Sequence, residues 1–392
     1  MPGMNSGSDR LDPLLAAAFR SALLHQALIV LAIVAALATV WVGLRAWPPA
    51  GPLLGTLRAA LRPAALAPGA PAEPAGRRLL RIGFGVLWLF DGILQAQPNM
   101  PAGLPSQVIE PTAGVSQSWV QHVVHVGQTA WISHPVAAAS SSAWIQVGLG
   151  LWLLAAPRGT VSRLAGLGGV GWGLIVWVFG ESFGGIFAPG LTWLTGAPGA
   201  VLIYVAAGVL IALPERVWRS PRVGQLTLAG LGLFLAVMAG LQAQPSLGYW
   251  QGNSYGQPGP LAAMVQSMSH TPQPGFLSTW IAAFAAFAEA HGFAVNLVVV
   301  VALAAIGAAF LSGRPRLIRA ALILFAILCL ADWVLVEDLG FLGGLGTDPN
   351  SMIPFILLAS GGYLAMTRPT PATADAAAPA SATPGREAAA RA

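Results

Sequence analysis

Apolar residues run along this chain in long blocks rather than alternating with polar ones. Each block approaches the roughly 20 residues that a helix needs to cross a bilayer. The blocks predict nine helices. The first covers about Ala27–Leu44. Four follow at about Leu79–Gln97, Val136–Ala156, Val161–Gly180 and Pro198–Leu213. Four more follow at about Gly224–Gln244, Gly292–Leu311, Leu317–Val336 and Met352–Met366. The polar stretches between them alternate in charge. Arg58, Arg62, Arg77, Arg78 and Arg81 lie before or at the start of the second helix, Arg158 and Arg163 follow the third, and Arg216, Arg219 and Arg222 follow the fifth. Arg314, Arg316 and Arg319 follow the seventh, and Arg368 follows the last. Residues 98–135, 181–197, 245–291 and 337–351 hold no arginine. Arginine-bearing connections stay in the cytoplasm, so the pattern predicts a multi-pass plasma-membrane protein with its N-terminus outside and its C-terminus inside. The alternative is a cleaved secretory signal over the first helix, which would invert every later connection and which the arginine placement argues against.

The blocks also repeat. Leu94-Gln95-Ala96-Gln97-Pro98 recurs as Leu241-Gln242-Ala243-Gln244-Pro245, 147 residues later. Trp177-Val178-Phe179-Gly180-Glu181 matches Trp333-Val334-Leu335-Val336-Glu337 at an offset of 156, which Arg163 and Arg319 share. Gln146 and Asn296 fall 150 apart. Ordered matches at a slowly drifting offset predict an internal duplication. The expected fold class is an all-α integral membrane protein: two tandem four-helix transmembrane bundles, as parallel repeats, plus one extra N-terminal transmembrane helix. The expected segments are residues 1–26, the extra helix at 27–47, a Pro/Ala/Arg linker at 48–77, the first repeat at 78–214, a connection at 215–223, the second repeat at 224–367 and a disordered tail at 368–392.

Composition sharpens this picture. Of the 392 residues 56% are hydrophobic and 8% charged, against about 25% charged in a soluble domain. All 19 basic residues are arginine, which fits the codon bias of a GC-rich bacterial genome. The arginines flank helices, so the basic balance predicts contact with a lipid bilayer and not with nucleic acid. Cys329 is the only cysteine, which rules out an intramolecular disulfide and a CxxC centre.

Candidate chemistry gathers at the arginine-free side. Glu181 and Glu337 each end the third helix of a repeat and can handle protons, as can Asp91 inside a span. Asp91 aligns with Met238, and Asp332 with Val176, so neither acid is duplicated. Gln95 and Gln242, with Gln146 and Asn296, offer hydrogen bonds to neighbouring helices or to the carbonyls of a quinone or solute. His122 and His125 share a helical face at a spacing that can hold a metal. Trp119–His125 and Trp280–Phe287 predict short apolar helices within the long outer connections.

The stretch Arg81-Ile82-Gly83-Phe84-Gly85-Val86-Leu87-Trp88-Leu89-Phe90-Asp91-Gly92 resembles the opening helix of DoxX-like membrane proteins. The resemblance implies four-helix bundles, two of which in tandem account for residues 79–366. It also implies a membrane subunit of a quinone-linked redox system whose partner, an envelope protein, carries the redox cofactor. The lysine that commonly follows the family's glycine is absent here, and Gln95 stands near its place. Two other readings stand beside it: a permease for a small solute or ion with an acidic and histidine-lined outer vestibule, and a membrane scaffold that docks an envelope enzyme.

Overall fold

The computed structural model describes residues 12–46, 72–342 and 345–367. The expected linker up to residue 71 and the tail at 368–392 lie outside the described residues. The fold is all-α apart from one two-residue ladder, Asn253–Ser254 against Gln257–Pro258. Its longer helices are α1 Pro13–Ala46, α2 Ala75–Leu94, α3 Ser118–Ser133, α4 Pro135–Ala155, α5 Gly159–Phe179 and α6 Ala200–Ala212. Then come α7 Arg222–Gln242, α8 Pro260–Ser269, α9 Gly275–Leu311, α10 Pro315–Leu335 and α11 Met352–Thr367. Proline opens α4, α8 and α10, where its missing N–H costs no hydrogen bond and its φ already suits a helix.

Six of these helices (α1, α4, α5, α7, α9 and α10) are long and apolar enough to cross a membrane. The other three expected spans form as α2, α6 and α11. Charges on Arg77, Arg78, Arg81 and Asp91 set α2 apart from the six, while α6 and α11 are shorter apolar helices. The helix expected from Ala27 begins at Pro13, where Asp12 Oδ1 accepts the Leu14 N–H at 2.9 Å. Its early turns are anchored: Phe19 is fully buried with Met100, Leu104 and Ala139, at the arginine-free end. Both expected short helices are present, one as α3 and the other as the first part of α9. His291, at φ −131° and ψ 31°, breaks α9 into that arm and the expected span from Gly292.

The two exits of the third helices are built alike. Glu181 N–H bonds to Val176 O at 2.9 Å, and Glu337 N–H to Asp332 O at 2.9 Å. Left-handed residues follow in each: Ser182, Phe183, Gly184 and Gly185 at φ 52°, 61°, 59° and 71°, and Asp338, Leu339 and Gly340 at 52°, 58° and 77°. Such residues in a row are rare outside glycine, and they turn the chain back across the bundle end. Trp177 Nε1 donates to Pro198 O, and Trp333 Nε1 to Pro349 O, both at 2.9 Å. Each glutamate then meets the next helix at its N-terminus. Glu181 Oε1 accepts from Val201 N at 3.2 Å, and Glu337 Oε2 from Met352 N at 3.4 Å. A carboxylate there meets unpaired N–H groups and the positive helix end.

The opposite end distinguishes the halves. Arg77 and Arg81 lie in the first turns of α2 rather than in a linker, and both are buried. Glu73 pairs with Arg77 at 2.8 Å and with Arg81 at 2.9 Å. Arg77 also donates to Ile211 O at 3.1 Å, Pro157 O at 2.9 Å and Ser162 Oγ at 2.7 Å, and Arg81 to Leu153 O at 2.7 Å. The guanidinium groups thus bind the C-terminal carbonyls of α4 and α6, the negative ends of those helices. In the second half Gly224 and Leu228 stand 147 residues on. A Cβ at Gly224 would collide with the Gly362 carbonyl, so α7 and α11 touch backbone to backbone there.

Candidate functional site

At the arginine-free end of the first half lies a cavity of about 370 Å³. Trp88, Trp131, Trp172, Ile175 and Phe179 form its apolar wall, and Asp91, Gln95, Gln146 and Glu181 its polar one. Helices α2, α3, α4 and α5 and their ends deliver these residues, because the spacings that place their apolar neighbours in the core turn them inward. Asp348 and Thr347 complete the wall from the second half. Gln97 Nε2 holds that connection in place through Gly346 O at 2.8 Å, and Leu345 joins the cluster around Met100 and Val120.

Asp91 and the two glutamines are each no more than 5% exposed. Among the described residues Asp91 Oδ1, Gln95 Oε1 and Gln146 Oε1 find no hydrogen-bond partner. Tyr204, ringed by Phe84 and Trp88, comes within reach of the Asp91 carboxylate as a hydrogen-bond partner. Buried polar groups without partners are costly, so their convergence on one cavity points to a guest. Burial, and then the Asp348 charge, holds the Glu181 carboxyl well above the usual carboxylate range. Burial also raises Asp348, although Thr347 Oγ1 and Asn350 N–H bond its carboxylate at 2.9 and 2.7 Å. The site therefore holds acids that keep a proton more readily than free carboxylates do.

The second half has a cavity in the matching place, about 280 Å³ and almost wholly apolar. Leu328, Ala331, Asp332, Leu335 and Val336 line it where Trp172, Ile175, Val176, Phe179 and Gly180 line the first, 156 residues earlier. Its amides are closed off: Gln242 Nε2 donates to Asn296 Oδ1 at 2.8 Å, and Asn296 Nδ2 to Gln242 O at 3.4 Å. Gln242 Oε1 is left without a partner but lines neither cavity. Asp332 is bound through Oδ2 to the indole N–H of Trp193 at 2.7 Å. That tryptophan comes from the first half's connection and packs on Phe234, Phe325 and Phe355.

Of the residues singled out in the sequence, Asp91, Gln95, Gln146 and Glu181 meet in one cavity. Glu337 is held at the N-terminus of α11, and Gln242 and Asn296 bond each other. His122 and His125 are exposed on α3. Among the described residues no three His, Cys, Asp or Glu side chains come together as a metal site. Sequence reasoning missed Asp348 as a partner of Asp91, and it missed Trp193 and Glu73 altogether. Only Trp193 carried a signal, as a tryptophan flanked by threonines in a connection otherwise rich in glycine. No protein-family model matches this chain, and neither a curated protein nor a solved structure matches it.

Proposed function

We propose that this chain is a membrane protein made of two tandem four-helix bundles of the DoxX-like kind, and that the first-half cavity binds a quinone-class molecule. In this reading the apolar wall takes the ring and the start of its hydrocarbon tail. The Gln95 and Gln146 amide N–H groups donate to its carbonyl oxygens, their amide oxygens accept from the hydroxyls of its reduced form, and Asp91, Glu181 and Asp348 hold the protons that accompany its reduction. A partner in the envelope supplies the electrons. The arginine-bearing connections lie in the cytoplasm, so the cavity sits near the outer leaflet of a bacterial plasma membrane.

One observation carries the reading: two buried amides and an acid, all with unpartnered oxygens, face one cavity whose remaining wall is aromatic and aliphatic. A ligand site of this kind joins a large apolar surface to a few placed polar groups. The alike exits of α5 and α10 support the duplication.

The test is extraction of the intact protein in mild detergent. About one quinone per chain is expected, falling at least tenfold in Gln95→Ala and Gln146→Ala and staying level in Gln242→Ala. A chain that carries no quinone and takes up none when it is supplied overturns the reading. A reporter fused after Gly313 is expected to read cytoplasmic, and a periplasmic signal would move the cavity to the other leaflet.

A further inference from the structure

Asp332 is 6% exposed, and its two oxygens fare differently. Oδ2 is bound by Trp193, while Oδ1 is buried with no hydrogen-bond partner among the described residues. Its cavity of about 280 Å³ is otherwise walled by Trp193 and apolar side chains, with no basic residue among them. Val298 and Phe287, both in the wall, are 64% and 51% exposed. The cavity therefore opens sideways on the apolar flank of α9, the flank that hydrocarbon would cover.

Acids kept inside membrane spans mark pathways for ligands or ions. A single water is a poor partner for Oδ1, because a buried water needs two to four polar contacts and this wall offers little besides the carboxylate. The complementary guest has one donor head on an apolar body. An ammonium head gains more than a hydroxyl, since charge attraction is strong where the dielectric constant is low. We propose that the second-half cavity binds a lipid-soluble amine, entering from the bilayer between α9 and α10, with its ammonium paired to Asp332 and its hydrocarbon body against Phe284, Val295 and Leu328.

The test uses the full chain in a neutral detergent and three compact probes of one shape, 1-adamantylamine, 1-adamantanol and 1-adamantanecarboxylate, with binding read by calorimetry. The amine is expected to bind at least tenfold more tightly than the alcohol, and the carboxylate not at all. Asp332→Asn is expected to abolish the amine's advantage, while Gln95→Ala in the other cavity leaves it intact. Val298→Trp fills the cavity with Asp332 in place and is expected to block the amine, which keeps the test decisive if Asp332→Asn fails to fold. The proposal is overturned if amine and alcohol bind equally, if neither binds, or if Val298→Trp retains full amine binding.

Discussion

The two cavities occupy the same place in their halves and have opposite characters. In the first, acids and amides from three helices face open space. In the second, the amides bond each other, Met238 stands where the first half has Asp91, and a tryptophan occupies the acid that remains. The acids also arise on different helices, Asp91 on the first of its half and Asp332 on the third. The lesson is that matching frames do not bring matching chemistry. The helix exits share the same glutamate, tryptophan and left-handed turn, while the cavity walls differ at nearly every polar position.

The largest effect expected from breaking this comparison lies at the arginine-bearing end. Arg77→Met leaves Glu73 short of a partner and the Ile211 and Pro157 carbonyls without their donor. Removing one member of a buried pair costs about 3–5 kcal/mol. Arg222→Ala, exposed at the same end of the second half, is expected to stay within about 0.5 kcal/mol. Denaturant unfolding in detergent micelles measures both, and similar losses would erase the distinction between a clamped and an unclamped half.

Gln242→Leu is expected to cost about 1–3 kcal/mol, the penalty of stranding buried Asn296, with quinone content unchanged. A loss of quinone there would make the second half part of the site. The glutamates give a finer contrast. Glu181→Gln and Glu337→Gln each weaken a helix cap, by about 0.5–2 kcal/mol at most, and thermal midpoints are expected to fall alike. Only Glu181→Gln is expected to alter ligand binding, because Glu337 does not line the first-half cavity.

The smallest effect concerns pH. Burial raises the Asp338 carboxyl to about 6, although Thr271 Oγ1 donates to it at 3.0 Å. A raised acid favours the folded state while it is protonated. Its contribution is therefore complete below the unfolded value near 4 and is lost as pH rises through about 6. Asp338→Asn is expected to flatten the fall in thermal midpoint between those values by a few degrees at most. Asparagine tolerates the left-handed backbone at this position. An unchanged pH profile would assign the slope to other acids.

Much of this fold was legible in the sequence. Long apolar blocks specify helices, and every expected apolar block from Leu79 onward forms one. Helix starts were less legible, as at Pro13, because the turns before Ala27 find their apolar partner, Met100, only in the folded chain. The first-half cavity was half legible. Asp91, Gln95, Gln146 and Glu181 stood out as polar residues in or beside spans. Asp348 did not join them, since it lies 257 residues from Asp91 and reaches the cavity only by crossing between halves. Glu73 was hidden in a stretch with linker composition, where nothing local marks a carboxylate that binds two arginines.

That crossing is reciprocal. Trp193 and Leu194 leave the first half to wall the second-half cavity, and Thr347 and Asp348 leave the second half to wall the first. Mechanically the halves are laced like two hands with interlocked fingers. A rigid rotation of one against the other cannot widen one chamber and spare its twin, because each borrows part of its wall from across the seam. Separate expression of either half would leave a chamber with a missing side, and a force that parts the halves would unmake both at once.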